Sequence, residues 1–218
     1  YWNLVIINQI CTNMKNNNLS LFFLFASHII SGIASGISMI AIPWYFTDKL
    51  DLNSSFSFMF GIITFLGVFW GLYSGTIIDK YNRKSILELI NFYTGLFITT
   101  IGCILVLLKS IYLSIILISA VFAITCFYYI IYYPTLYALV QSISSKKNYV
   151  KINSYVEIVG QSTSVVAGGC AAILLSGIDL GTIVIEPLNI ETILIMDGIT
   201  YLIGSILISF IKTPILYK

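Results

Sequence analysis

Residues 55–84 read SFSFMFGIITFLGVFWGLYSGTIIDKYNRK. From Phe56 to Ile78 no side chain is charged; Asp79, Lys80, Arg83 and Lys84 then follow in close succession. An uncharged apolar run of this kind matches the roughly 20 residues a helix needs to cross about 30 Å of hydrocarbon. A barrel strand would instead alternate apolar and polar positions over about ten residues. Outward from this stretch, five more apolar runs occur, and together the six spans cover roughly 19–46, 55–78, 86–108, 111–140, 153–177 and 190–211. The segments between them are short and polar. The first and fourth spans exceed the minimum length, as tilted helices or helices with interfacial ends do.

Composition supports the same reading. The chain of 218 residues is 58% hydrophobic and 9% charged, where a soluble domain carries about 25% charged residues. Its mean hydropathy is +0.96. Eleven basic and nine acidic side chains cannot coat a water-soluble globule of this size. That excludes a soluble enzyme, a disordered tail and a nucleic-acid binder with a broad basic face. In lipid, only helices and closed barrels satisfy their own backbone, so the expected class is all-α integral membrane.

Orientation follows from the basic residues. With the N-terminus in the cytoplasm, Lys15, Lys80, Arg83, Lys84, Lys146, Lys147, Lys151, Lys212 and Lys218 lie inside, and only Lys49 and Lys109 lie outside. This is the positive-inside pattern, and both termini are then cytoplasmic. Asp48, Asp51, Asp179, Glu186 and Glu191 fall on the outer side. Residues 1–18 form a lead, in which Met14-Lys15-Asn16-Asn17-Asn18 reads as an initiator followed by a polar stretch, and residues 1–13 read as upstream read-through or a fragment boundary. The six-helix unit covers 19–212, and 213–218 reads as the start of a linker.

Chemistry-bearing motifs are few. No phosphate-binding glycine loop, zinc motif or nucleophile elbow is present, so the chain is not read as an enzyme and no cofactor or metal is expected. Cys11, Cys103, Cys126 and Cys170 lack metal or redox spacing and read as small buried hydrophobes.

The loop after the second span carries more. Gly71 and Gly75 lie on one helix face and permit close backbone approach. Asp79, a carboxylate at the membrane edge, requires a positive partner, either a basic side chain or another helix N-terminus. Arg83 and Lys84 anchor the loop and are placed to pair with Asp79. Glu88 reads as a loop-anchoring partner. Glu157, one turn into span five, is expected to pair with Arg83, with Lys151 as the alternative.

The pattern Gly75-x-x-x-Asp79-x-x-x-Arg83-Lys84 resembles the loop-2/3 signature of the major facilitator superfamily, whose halves are built as inverted three-helix repeats. The resemblance covers about 19–212. It implies six transmembrane helices in a 3+3 repeat, half of a twelve-helix fold, with Gly71, Gly75, Asp79, Arg83 and Lys84 forming a conformational switch against a missing C-terminal six-helix half. The drug and macrolide efflux and enterobactin-exporter branch is closest in look. The resemblance there rests on Ser27-His28-Ile29-Ile30-Ser31-Gly32-Ile33-Ala34-Ser35-Gly36, on Ala41-Ile42-Pro43-Trp44 and on Met196-Asp197-Gly198-Ile199-Thr200-Tyr201-Leu202. Span five holds Gly160, Gly168 and Gly169, with Ser164-Val165 where antiporters of the superfamily often carry Gly-Pro.

Within the spans, Asp197 is the best candidate for a coupling or substrate-facing carboxylate, and an interhelical hydrogen-bond acceptor is the alternative role. His28 is read as a packing or hydrogen-bonding residue ahead of a metal ligand, and it joins Asp197 among the coupling candidates. Tyr129, Tyr132 and Tyr133 share a helix face. Beside the bend expected at Pro134, they suit an amphipathic or cationic organic substrate, or ordinary helix packing. Pro43 in span one and Pro134 in span four occupy equivalent members of the repeat.

The expected function is secondary active transport by alternating access, with efflux of small amphipathic organic compounds such as drugs or macrolides driven by protons. Nutrient uptake on the same fold, or an inactive truncated half, are the alternatives. Expected partners are the lipid bilayer, a small-molecule substrate and the second half, with no nucleic acid. The share of Asn, Ile, Lys and Tyr points to an AT-rich, bacterial genome and hence to the cell inner membrane.

Overall fold

The computed structural model describes residues 2–107, 110–144, 148–179 and 184–213, with side chains from residue 18 onward. The side chain of Lys15, the residues Lys109, Lys146, Lys147 and Lys218, and nearly all of the linker at 213–218 lie outside that description.

The chain is helical almost throughout. Helix α1 (Trp2–Trp44) passes into one π-helical turn (Tyr45–Lys49). There follow α2 (Asn53–Lys80), α3 (Arg83–Leu107), α4 (Ile111–Ile143), α5 (Tyr149–Ser176) and α6 (Ile190–Ser209). Six segments are long and apolar enough to cross a bilayer, the first running Asn18–Lys49. This is the architecture of a multi-pass membrane protein. The helices outlast the apolar runs by a few residues at most ends, because polar residues such as Asn53 and Lys80 complete the terminal turns at the interface.

Local chemistry accounts for the interruptions. The π turn begins two residues after Pro43, whose ring supplies no N–H to the carbonyl four residues back, so the ladder shifts. Pro134 lies inside α4, which continues to Ile143. The polar break before α6 contains a short hairpin with no counterpart in the hydropathy pattern. Strands β1 (Ile178–Asp179) and β2 (Val184–Ile185) pair antiparallel, with Ile178 opposite Ile185. Gly177 starts the hairpin at φ +71°, and a Cβ there would meet the Ile185 carbonyl at 2.8 Å, so glycine is required.

Packing is extensive between some helices and sparse around others. The largest interfaces join α3 to α6, α1 to α6, α1 to α5, α3 to α4 and α2 to α4, with a smaller one between α1 and α4. Exchanging α1, α2, α3 for α4, α5, α6 turns this set of pairings into itself. Close approach depends on glycine: a Cβ on Gly198 of α6 would stand 2.6 Å from the Thr99 backbone nitrogen of α3, and one on Gly36 of α1 would stand 2.7 Å from Ala167 Cβ of α5. Leu87, Ile98, Val121, Leu139, Val140 and Leu194 fill the bundle between these contacts. Helix α2 is the least covered, with 11% of its apolar window buried against 44% for α6.

The bundle is polarised. One end carries Lys80, Arg83, Lys84, Lys151 and Lys212 with Asp79 and Glu88 among them, and the other carries Asp48, Asp51, Glu186 and Glu191 with Lys49 among them. Contacts fix which residues share a level. Ser20 donates to the Lys212 carbonyl (3.3 Å) and Ser27 to the Gly204 carbonyl (3.1 Å), so α1 and α6 run antiparallel.

Candidate functional site

The interior of this apolar bundle contains a polar seam. Ser27, His28, Ser31, Ser35 and Ser38 recur at three- and four-residue spacing, which places them along one side of α1. All are buried. Facing them are Tyr128, Tyr129 and Tyr132 of α4 and Asp197 and Tyr201 of α6. His28 Nδ1 lies 3.0 Å from the Tyr132 hydroxyl, and the Ser35 and Tyr129 hydroxyls are 2.6 Å apart. Tyr128 donates to Asn91 Oδ1 of α3 (3.2 Å), and Asn91 Nδ2 donates to the Leu87 carbonyl (2.7 Å). The rings reinforce the arrangement: Tyr128 stacks on Tyr132 at 4.9 Å and meets Tyr201 edge-on at 4.9 Å.

Toward the acidic end the seam is left unpaired. Asp197 has no exposed surface, and neither carboxylate oxygen completes a hydrogen bond. Ser38 Oγ and the Tyr201 hydroxyl are also buried and complete no hydrogen bond in this geometry, although Ser38 lies beside Asp197, and Tyr201 beside Ser35 and Tyr129. Each unsatisfied buried polar atom costs about 1–3 kcal/mol, and an ionised carboxylate in such a place costs more.

The signature loop is arranged differently from the sequence expectation. Arg83 and Lys84 do not pair with Asp79. Arg83 Nη1 donates to the Ala138 carbonyl of α4 (3.1 Å), and Lys84 Nζ donates to the Ser209 carbonyl that ends α6 (2.7 Å). For Lys84 the physical reason lies in a helix end, since Ser209 closes α6 and terminal carbonyls concentrate negative charge; Arg83 instead reaches a carbonyl inside α4, more than one turn before its end at Ile143. The Asn82 side chain meanwhile caps α3, accepting from the Lys84 backbone N–H at 2.9 Å. Asp79 is exposed and, among the described residues, has no ion-pair partner. A Cβ on Gly75 would meet nothing within 4 Å, and one on Gly71 only Ile130 at 3.8 Å. This end of α2 is therefore an open face. Glu88 lends its backbone carbonyl to Ser205 (3.0 Å), and no ion pair forms through its side chain among the described residues.

Glu157 likewise does not reach Arg83. It accepts the Tyr137 hydroxyl and lines a cavity of about 430 Å³ with Tyr133, Tyr137, Val156, Gly160, Gln161 and Ser164. The three tyrosines singled out by spacing thus divide: Tyr129 and Tyr132 serve the seam, and Tyr133 faces the cavity. Around Gly168 and Gly169 a Cβ would meet nothing within 4 Å, so α5, like α2, keeps an open face.

Sequence reasoning missed Ser31, Ser38, Asn91, Tyr128 and Tyr201 as members of the seam. The serine periodicity of α1 was the available signal. Asn91 carried none, because a single amide in an apolar helix has no pattern. Among the described residues, no cluster of three or more His, Cys, Asp or Glu side chains comes together to hold a metal ion. No protein-family model, curated protein or solved structure matches the chain.

Proposed function

We propose that this chain is a six-helix half of a secondary transporter of the major facilitator type, moving small amphipathic organic compounds out of a cell by alternating access. The observation that carries the reading is the exchange of helix pairings. An inverted repeat of three helices requires α1–α6 to be matched by α4–α3 and α1–α5 by α4–α2, and the main interfaces obey both conditions. The open faces of α2 and α5 are the surfaces on which a second six-helix half would pack. Asp79 and Gly75 lie on the open part of α2, where a helix N-terminus of that half would supply the positive end that Asp79 lacks.

In this reading Asp197 couples transport to protons. Its burial without a partner favours a group that is neutral in one state and exchanges its proton in another. The seam of Ser38, Tyr201, Ser35 and Tyr129 lies between α1, α4 and α6, where a rocking motion would open it first to one side and then to the other. The basic end faces the cytoplasm, and the membrane is the inner membrane of a bacterium.

Efflux from cells lacking their own exporters tests the proposal. Expression of the chain, alone and with a second half encoded beside it, lowers accumulation of ethidium or a macrolide, and an uncoupler abolishes the effect. Accumulation equal to that of empty cells in both settings contradicts it.

A further inference from the structure

Glu157 is exposed on the surface of the bundle and lies eight residues after Tyr149, the first residue of α5, about 12 Å along the helix axis at 1.5 Å per residue. In a helix that crosses a bilayer a carboxylate at this position requires compensation, and among the described residues Arg83, Lys84 and Lys151 are turned to other partners. Arg83 holds the Ala138 carbonyl, Lys84 holds the Ser209 carbonyl, and Lys151 sits over the Tyr155 ring at 5.9 Å. Among the described residues no ion pair involves Glu157. Its one bond, from the Tyr137 hydroxyl, fixes the carboxylate without neutralising it.

The surroundings are built rather than incidental. The Tyr133 ring is held on two sides, stacked on Tyr129 at 5.7 Å and edge-on to His28 at 6.1 Å. Tyr137 is one turn further along α4. The cavity floor is Gly160, and behind it His28 Nε2 is buried and unpartnered, 3.6 Å from where a Cβ on residue 160 would stand. Any larger residue at 160 would close the floor over that nitrogen. The volume of about 430 Å³ falls within the about 300–1,000 Å³ of small-molecule sites.

We propose that this cavity between α4 and α5 binds a monovalent organic cation with an apolar, aromatic body, held by the Glu157 carboxylate and the rings of Tyr133 and Tyr137. The charge of the site selects a cation, since the carboxylate is its one formal charge. The rings select an organic one, because a weakly hydrated cation over an aromatic face is attracted by the ring quadrupole, most strongly when desolvated. A hard metal ion is disfavoured, as it calls for about six or more oxygen ligands and the cavity offers one carboxylate. The inference deepens the transporter reading by naming the class of compound carried. It rests on that reading for the transport of the bound cation and not for its binding.

The test is binding of radiolabelled tetraphenylphosphonium to the purified chain in detergent, with radiolabelled tetraphenylborate, of the same shape and opposite charge, titrated in a separate sample. Saturable binding of the cation and none of the anion is expected, with cation binding weakened about tenfold or more in Glu157→Gln and retained in large part by Glu157→Asp. Tyr137→Phe keeps the ring and frees the carboxylate, and is expected to weaken binding by a smaller factor. Co-elution of each variant with the parent protein on size exclusion checks the fold. Equal affinity in Glu157→Gln, equal saturable binding of tetraphenylborate in its own titration, or no saturable binding of the cation overturns the proposal. Binding at Glu157 without efflux from cells removes the transporter reading and leaves the site standing. Efflux that is insensitive to Glu157→Gln overturns the part of the proposal that makes this site the carrier of the cation and leaves the transporter.

Discussion

Replacing Gly198 by alanine separates two effects that act with opposite sign. In a helix interior, glycine to alanine stabilises by about 1 kcal/mol through backbone entropy. At Gly198 the new methyl would stand 2.6 Å from the Thr99 backbone nitrogen, where ordinary contact begins at 3.4 Å. Backbone cannot rotate aside, so α3 and α6 must part by about 1 Å. Gaps of that size forfeit a quarter to a half of each affected contact, and overpacking of this kind costs about 1–3 kcal/mol. The α3–α6 interface is the most extensive in the bundle, which places the cost at the upper end and the net effect at about 1–2 kcal/mol of destabilisation. Gly169→Ala is the control, since its methyl meets nothing within 4 Å and keeps the entropic gain. Unfolding in mixed micelles titrated with dodecyl sulfate reads both. The expected order is Gly169→Ala, parent, Gly198→Ala, from most to least stable. A Gly198→Ala protein as stable as Gly169→Ala would refute the close packing of α3 on α6.

Three further outcomes are expected. Tyr132→Phe strands His28 Nδ1 in the bundle interior and lowers stability by about 1–3 kcal/mol, whereas Tyr133→Phe, at a position 37% exposed, stays within about 0.5 kcal/mol; the same titration measures both. Asp197→Asn keeps size and polarity, so the protein folds, while efflux measured across a range of external pH loses its pH dependence; an unchanged profile removes Asp197 from coupling. Exchanging the charges at 79 and 83 (Asp79→Arg with Arg83→Asp) does not restore stability lost by Arg83→Asp alone, because Arg83 serves the Ala138 carbonyl; full rescue in the titration would show a direct pair.

The spans were legible because membrane helices announce themselves through long uncharged runs, and 55–78 needed nothing beyond its own composition. The membrane-edge loop was legible as a cluster and not as a network. Spacing places Asp79, Arg83 and Lys84 together, but which acceptor each cation takes depends on how α4 passes the loop and where α6 ends, and Ala138 and Ser209 are 55 and 125 residues away from Arg83 and Lys84 in sequence. Asp197 stood out as a carboxylate in an apolar run, whereas its isolation became visible only once Ser38 and Tyr201 were seen to be buried without partners beside it. The sorting of the tyrosines was hidden for a similar reason: helical spacing puts Tyr129, Tyr132 and Tyr133 on one face, and the crossing of α1 and α5 over that face decides which one meets the cavity. The hairpin before α6 had no signal beyond turn-forming residues.

Site-directed labelling at Ser35 tests alternating access most directly. In a chain whose four cysteines are replaced by serine, a single cysteine at position 35 lies within the buried seam beside Tyr129. Alternating access predicts that a membrane-impermeant thiol reagent reaches it from either side of the membrane, one side at a time, with the favoured side shifting when an imposed pH gradient is reversed. A cysteine at 35 that stays unreactive from both sides under both gradients would contradict it.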